Sequence, residues 1–145
     1  MIRKKLRLGF SSIAYVMLII GIILSGCKKE NPDPQAQRLN ELLGTWTVSQ
    51  VENDNTDVTG LYAGFELTIN QNKTFQTVNG GNPWPATGTF DFLNADSIDQ
   101  ILRNDDTIIS LSNITASTLT LQFSSNNTGG RAAGITGVFT FTLIK

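Results

Sequence analysis

The sequence predicts an all-β fold: a small antiparallel up-and-down barrel of about eight strands, preceded by a short N-terminal helix. Two observations carry this. Apolar residues recur at every second position in five segments after Gly44, with threonine and other polar residues between them. Short Gly/Asn/Asp clusters separate these segments, as hairpin turns do. Strands with one apolar face, joined in sequence by tight turns, close most economically into a barrel, which leaves no edge to aggregate. A two-sheet sandwich satisfies the same pattern.

The elements follow in order. Residues 1–26 carry Arg3, Lys4, Lys5 and Arg7 and then an uncharged apolar run from Leu8 to Leu24, the layout of an export signal. At about 17 residues the run also reaches the lower limit for a spanning helix, so an uncleaved anchor is the alternative. Leu24-Ser25-Gly26-Cys27 resembles the lipobox of bacterial lipoproteins. That resemblance implies cleavage before Cys27, acylation of its thiol with palmitate-like chains, and a hold on the membrane through lipid. Cys27 is the only cysteine, so it has no disulfide partner within the chain. Residues 27–33 are polar and proline-bearing and read as a tether reaching roughly 20 Å. Residues 34–145 form the one folded domain.

In that domain Asp33-Pro34 starts a helix, Leu39, Leu42 and Leu43 share one side of it, and Gly44 stops it, giving residues 34–43. Strands then centre on Trp46 and Val48; Phe65, Leu67 and Ile69; Phe90 and Phe92; Leu119, Leu121 and Phe123; and Phe139, Phe141 and Leu143. Weaker segments, Lys73–Val78, Ser97–Arg103 and Thr107–Ser112, fill the gaps. The threonine-rich alternate face suits a pleated surface in water.

Without the leader the chain keeps seven basic residues against twelve acidic ones, a net charge near −5. An acidic domain with no basic face is a poor partner for nucleic acid or anionic lipid, so the lipid must do the holding. Lys28 does not match the best-known inner-membrane retention signal. The expected location is the outer membrane, with the domain on its periplasmic or cell-surface face, as a monomer.

Further residues resemble a family. A short helix followed by Leu43-Gly44-Thr45-Trp46 is similar to the Gly-x-Trp opening of lipocalins. More closely, the chain resembles the small lipocalin-like lipoproteins of gram-negative bacteria over about residues 38–145. The shared features are Asp57-Val58-Thr59, Gly64 to Thr68, Pro83-Trp84-Pro85, Gly88-Thr89-Phe90 and Gly129-Gly130-Arg131. The resemblance implies that Trp46 packs at the closed end of the barrel under a late-strand arginine. Arg131 is the candidate and Arg103 the second choice; these roles and that of Gly44 are structural.

Catalysis is not expected. The chain has no histidine, and its only cysteine is the lipidation candidate. The same lack removes the usual zinc ligands, and no cofactor is expected. Asn53, Asn55 and Asp57 alternate like the start of a calcium loop, but Val58 stands where glycine is needed. Asp96, Asp99, Asp105 and Asp106 form a second acidic group, read as solvated loop. Asp96-Ser97-Ile98 and Asp106-Thr107-Ile108 resemble an O-glycosylation acceptor of some gram-negative bacteria. Trp84, fixed between two prolines, either plugs the barrel end or offers a flat face to a sugar or an apolar ligand. Tyr62, Phe75 and Phe90 join it as candidate ligand-binding residues. The expected function is a lipid-anchored envelope protein that carries a small hydrophobic molecule. The alternative is a structural or interaction lipoprotein whose filled barrel contacts a glycan or protein.

Overall fold

The computed structural model describes residues 32–126 and 136–145; Cys27 and Arg131 lie outside them. Helix α1 (Pro34–Leu42) leads into β1 (Gly44–Asn53), a two-residue β2 (Thr56–Asp57) and a 3-10 turn (Thr59–Tyr62). The remaining strands are β3 (Glu66–Ile69), β4 (Thr74–Val78), β5 (Thr87–Phe92), β6 (Gln100–Arg103), β7 (Ile108–Ser112), β8 (Thr118–Ser125) and β9 (Gly137–Ile144). From β3 onward each strand pairs antiparallel with the next, and β1 pairs with β3. β9 returns to β1 from Thr47↔Ile144 to Asn53↔Phe139, which closes the sheet. The result is an eight-stranded barrel with β2 added beside β1. Closure excludes the sandwich.

The alternation read from the sequence points one way all round. Phe65, Phe75, Phe90, Phe92, Phe123, Phe139 and Phe141 are all buried, together with Leu67, Leu119, Leu121 and Leu143. The outer face carries polar side chains that meet across strands: the Thr45 and Thr68 hydroxyls pair, and Gln122 Nε2 donates to Thr140 Oγ1. An apolar inside and a polar outside reverse what a lipid-embedded barrel needs.

Two segments depart from the simple pattern. In β1 the register slips between Val48 and Gln50, so Ser49 is an extra residue. The inward side shifts from Trp46 before the bulge to Val51 after it, both fully buried. The expected strand Ser97–Arg103 begins only at Gln100. The carbonyls ahead of it are taken by the helix: Gln35 Nε2 donates among those of Asn94, Ala95 and Ser97 at 2.8–3.2 Å, and Arg38 Nε to that of Ile98 at 3.0 Å.

Helix α1 has Asp33 as its N-cap, accepting from Gln35 N at 2.9 Å, and Pro34 in the first turn. It ends at Leu42, one residue short of the expected limit, with Leu43 as the cap. Gly44 follows at φ +110°, a conformation that side-chain-bearing residues rarely adopt, and it opens the first strand. Leu42 is fully buried, and Leu39 and Leu43 pack partly against the core.

Candidate functional site

The strand directions define two ends. β1 leaves α1 and runs to Asn53, so α1, the 70–73 and 93–99 connections and Lys145 lie at one end, the helix end. The 79–86 loop, the 104–107 turn and the start of β9 lie at the other, the mouth.

At the helix end Trp46 is fully buried and its Nε1 donates to Leu42 O at 2.8 Å. The cation above it is Lys145, with Nζ 4.0 Å from the ring centre and bonded to Leu43 O. Arg131, the first-choice arginine, lies outside the described residues, and the second choice is placed elsewhere. Arg103 belongs to the other tryptophan.

At the mouth Trp84 is 5% exposed, a plug and not a stacking platform. Its ring lies 5.3–5.9 Å from those of Phe65, Phe75, Phe123 and Phe141. The Arg103 guanidinium sits 4.9 Å over the indole and 5.5 Å from Phe123. Arg103 is itself 4% exposed. It grips Asp105 with two bonds and donates to Thr107 Oγ1 (3.2 Å) and to Pro83 O (3.0 Å). Thr77 Oγ1 donates to Pro85 O at 2.9 Å, so both prolines flanking Trp84 are pinned. Gly80 gives the plug its room: a Cβ there would stand 2.7 Å from Trp84 Cβ. The indole Nε1, by contrast, is buried without a hydrogen-bond partner.

Two spaces adjoin this pair. Outside lies a cleft of about 680 Å³, lined among others by Pro83, Asp105, Asp106, Thr107, Phe123 and Ser124. Inside is a void of about 10 Å³ with an apolar lining that includes Leu67, Phe75, Phe90, Ile109 and Leu121. Among the described residues, Trp84 and Arg103 are common to both linings, so they form the partition between mouth and core.

The candidate residues are thus distributed unequally. Trp84 faces both spaces. Phe75 and Phe90 line the inner void. Tyr62 packs on Phe139 and Phe141 at 6.1 and 5.1 Å and lines neither space, and burial raises its phenol above the usual value. Arg103 at Trp84 was missed by the sequence reading. The available signal was its inward parity with Ile101 in a segment otherwise lined by apolar residues. The acidic group also divides. Asp99 pairs with Arg38 at the helix end at 2.9 Å, whereas Asp105 and Asp106 stand at the mouth. Burial pushes the Asp105 carboxyl up, but the hydrogen bonds and charge of Arg103, with help from Thr107, outweigh that and hold it below its usual value. Asp57 accepts from Thr59 N and Oγ1 at 2.8 and 2.6 Å and serves a turn. No family model matches this chain, and no curated protein matches it.

Proposed function

We propose that the protein is a lipid-anchored envelope lipoprotein of lipocalin-like type whose barrel is a packed interaction module, offering its mouth cleft to a partner. The observation that supports this over a carrier role is the filled interior. The inner void of about 10 Å³ has room for about one water. Small-molecule pockets run to about 300–1,000 Å³. The cleft falls within that range, yet it lies outside the plug and its rim is polar.

Anchoring rests on the sequence around Cys27, and the polar tether supports it. The tether enters at Asp33, the cap of α1, at the helix end. The cleft is therefore at the opposite end of the barrel from Asp33. Two or more acyl chains hold a protein stably, where one does not.

Native mass spectrometry of the full-length protein, extracted from envelopes in mild detergent, tests the reading. The expected mass is that of residues 27–145 plus lipid, with no further small molecule retained. A stoichiometric apolar compound released on unfolding would restore the carrier. Cys27→Ala is expected to accumulate as an uncleaved precursor without fatty-acid label.

A further inference from the structure

We propose that Asn79-Gly80 is a site of spontaneous deamidation, and that conversion of Asn79 unfastens the loop that seats the Trp84 plug. This goes beyond the partner role and holds whatever meets the mouth.

The residue pair supplies the chemistry. Asn79-Gly80 is the one Asn-Gly step in the chain. Glycine has no Cβ to shield its nitrogen or restrict its backbone, so ring closure onto the preceding asparagine meets least hindrance there. The Gly80 nitrogen, on losing its proton, attacks Cγ of Asn79. A nitrogen–carbon bond forms, the Cγ–Nδ2 bond breaks, and Nδ2 leaves with that proton as ammonia. Water then opens the succinimide. Attack at Cγ gives aspartate on the normal main chain. Attack at the main-chain carbonyl gives isoaspartate, which lengthens the main chain by a methylene. The sum is asparagine plus water giving an acidic residue plus ammonia, with no oxidant or reductant involved.

The local structure leaves this pair open to reaction. Asn79 is exposed and follows β4 at φ +53°, the turn conformation that asparagine tolerates. The Gly80 N–H donates to no group among the described residues. Asn79 Nδ2 donates to Ala63 O at 3.4 Å and to Gly64 O at 3.2 Å. Both bonds are longer than the usual value of about 2.9–3.0 Å. The side-chain amide is therefore loosely held.

Those same two bonds give the reaction its consequence. They tie the start of the 79–86 loop to the turn before β3. An ionised carboxylate has no N–H to donate, and its oxygens would face two carbonyl oxygens. Attraction turns to repulsion at that point. The next residue lies against the plug: a Cβ on Gly80 would stand 2.7 Å from Trp84 Cβ. An added main-chain methylene beside Gly80 has to move one or the other. Trp46, bonded to Leu42 O at the helix end, is untouched. Ageing thus loosens one end of the barrel and spares the other.

The test holds the full-length protein in mild detergent, warm and at mildly alkaline pH, and maps its peptides by mass spectrometry. Labelling by an isoaspartyl methyltransferase marks the second product. Asn79 is expected to convert at least about tenfold faster than any other asparagine of residues 32–126. Asn79→Gln keeps an amide but must close a larger ring, and it is expected to block conversion at this position. The Phe65 and Thr77 amides, which donate to Tyr62 O and Ala86 O, report on the two tied segments. Their hydrogen exchange is expected to quicken about three- to tenfold in the aged protein and in Asn79→Asp made directly. Trp84 emission, read in a Trp46→Phe background, is expected to become more quenchable.

An Asn79 amide that survives in the folded chain, through a period in which the denaturant-unfolded chain converts, would overturn the proposal. Earlier conversion at another asparagine of residues 32–126 would do the same. So would exchange at Phe65 and Thr77 that is unchanged in both the aged protein and Asn79→Asp.

Discussion

The two ends of the barrel solve one problem in different ways. Each is stopped by a tryptophan with a cation above it, Trp46 under Lys145 and Trp84 under Arg103. At the helix end the stopper is continuous with regular structure. Trp46 lies on β1 two residues after Gly44, and its N–H bonds the last residue of α1. At the mouth the stopper comes from a loop, held from outside by Arg103 and Thr77, with its own N–H unpaired. The comparison teaches where function can sit. The satisfied end is a structural cap. The other spends an arginine, two prolines and a glycine on holding an aromatic in place, and it borders the cleft.

Substitutions can break this comparison, and the largest effect is expected from Trp46→Ala. Removing a fully buried indole costs about 3–5 kcal/mol, read by chemical denaturation; a loss below about 1 kcal/mol would contradict its placement. Gly80→Ala follows. Its Cβ must displace Trp84 or Thr77, with an expected loss of about 1–3 kcal/mol and a red-shifted, more quenchable Trp84 emission.

A sharper test replaces each tryptophan by phenylalanine. Trp46→Phe leaves Leu42 O without its donor, whereas Trp84→Phe removes an N–H that has no partner. The first is expected to be more destabilising by about 1–2 kcal/mol. Equal losses would mean that the two indole groups are equally satisfied. Lys145→Met is a smaller change, about 0.5–1 kcal/mol, because the cation is exposed.

The pH responses of the two ends are expected to have the same sign in different windows. Asp105 is depressed in the folded protein, so its contribution is complete above its ordinary value of 3.8 and is lost as pH falls below it. Burial depresses Lys145 from 10.5. The unfolded chain therefore holds that proton more tightly, and stability rises with pH across the window just below 10.5. Denaturant unfolding at acidic, neutral and alkaline pH checks both, with Asp105→Asn removing the first response and Lys145→Met the second.

Much of the fold is legible in the residue pattern because strand burial has a period of two and each turn announces itself locally. Phe139, Phe141 and Leu143 alternate with threonines, and no distant residue is needed to see it. The bulge at Ser49 is not legible, since a single extra residue shows only when β1 is laid against β9. The late start of β6 is hidden for a related reason. It depends on Gln35 and Arg38, some sixty positions away, capturing the carbonyls of the loop before it.

The candidate site divides along the same line. Trp84 between its prolines is conspicuous in the sequence, and its loop position follows from the Gly/Asn run before it. Its partner is not. Pairing Arg103 with Trp84 instead of Trp46 depends on which end of β6 the arginine occupies, and local composition carries no such information.

By itself the sequence determined the β class, the short leading helix, the inward aromatics and the acidic surface, because each follows from local periodicity or composition. Tertiary structure alone decided closure into a barrel, the division of the acidic residues between two ends, and the near-absence of interior space. Those depend on how distant strands meet and how their side chains share a finite volume, and the void beneath Trp84 keeps only about 10 Å³ of it.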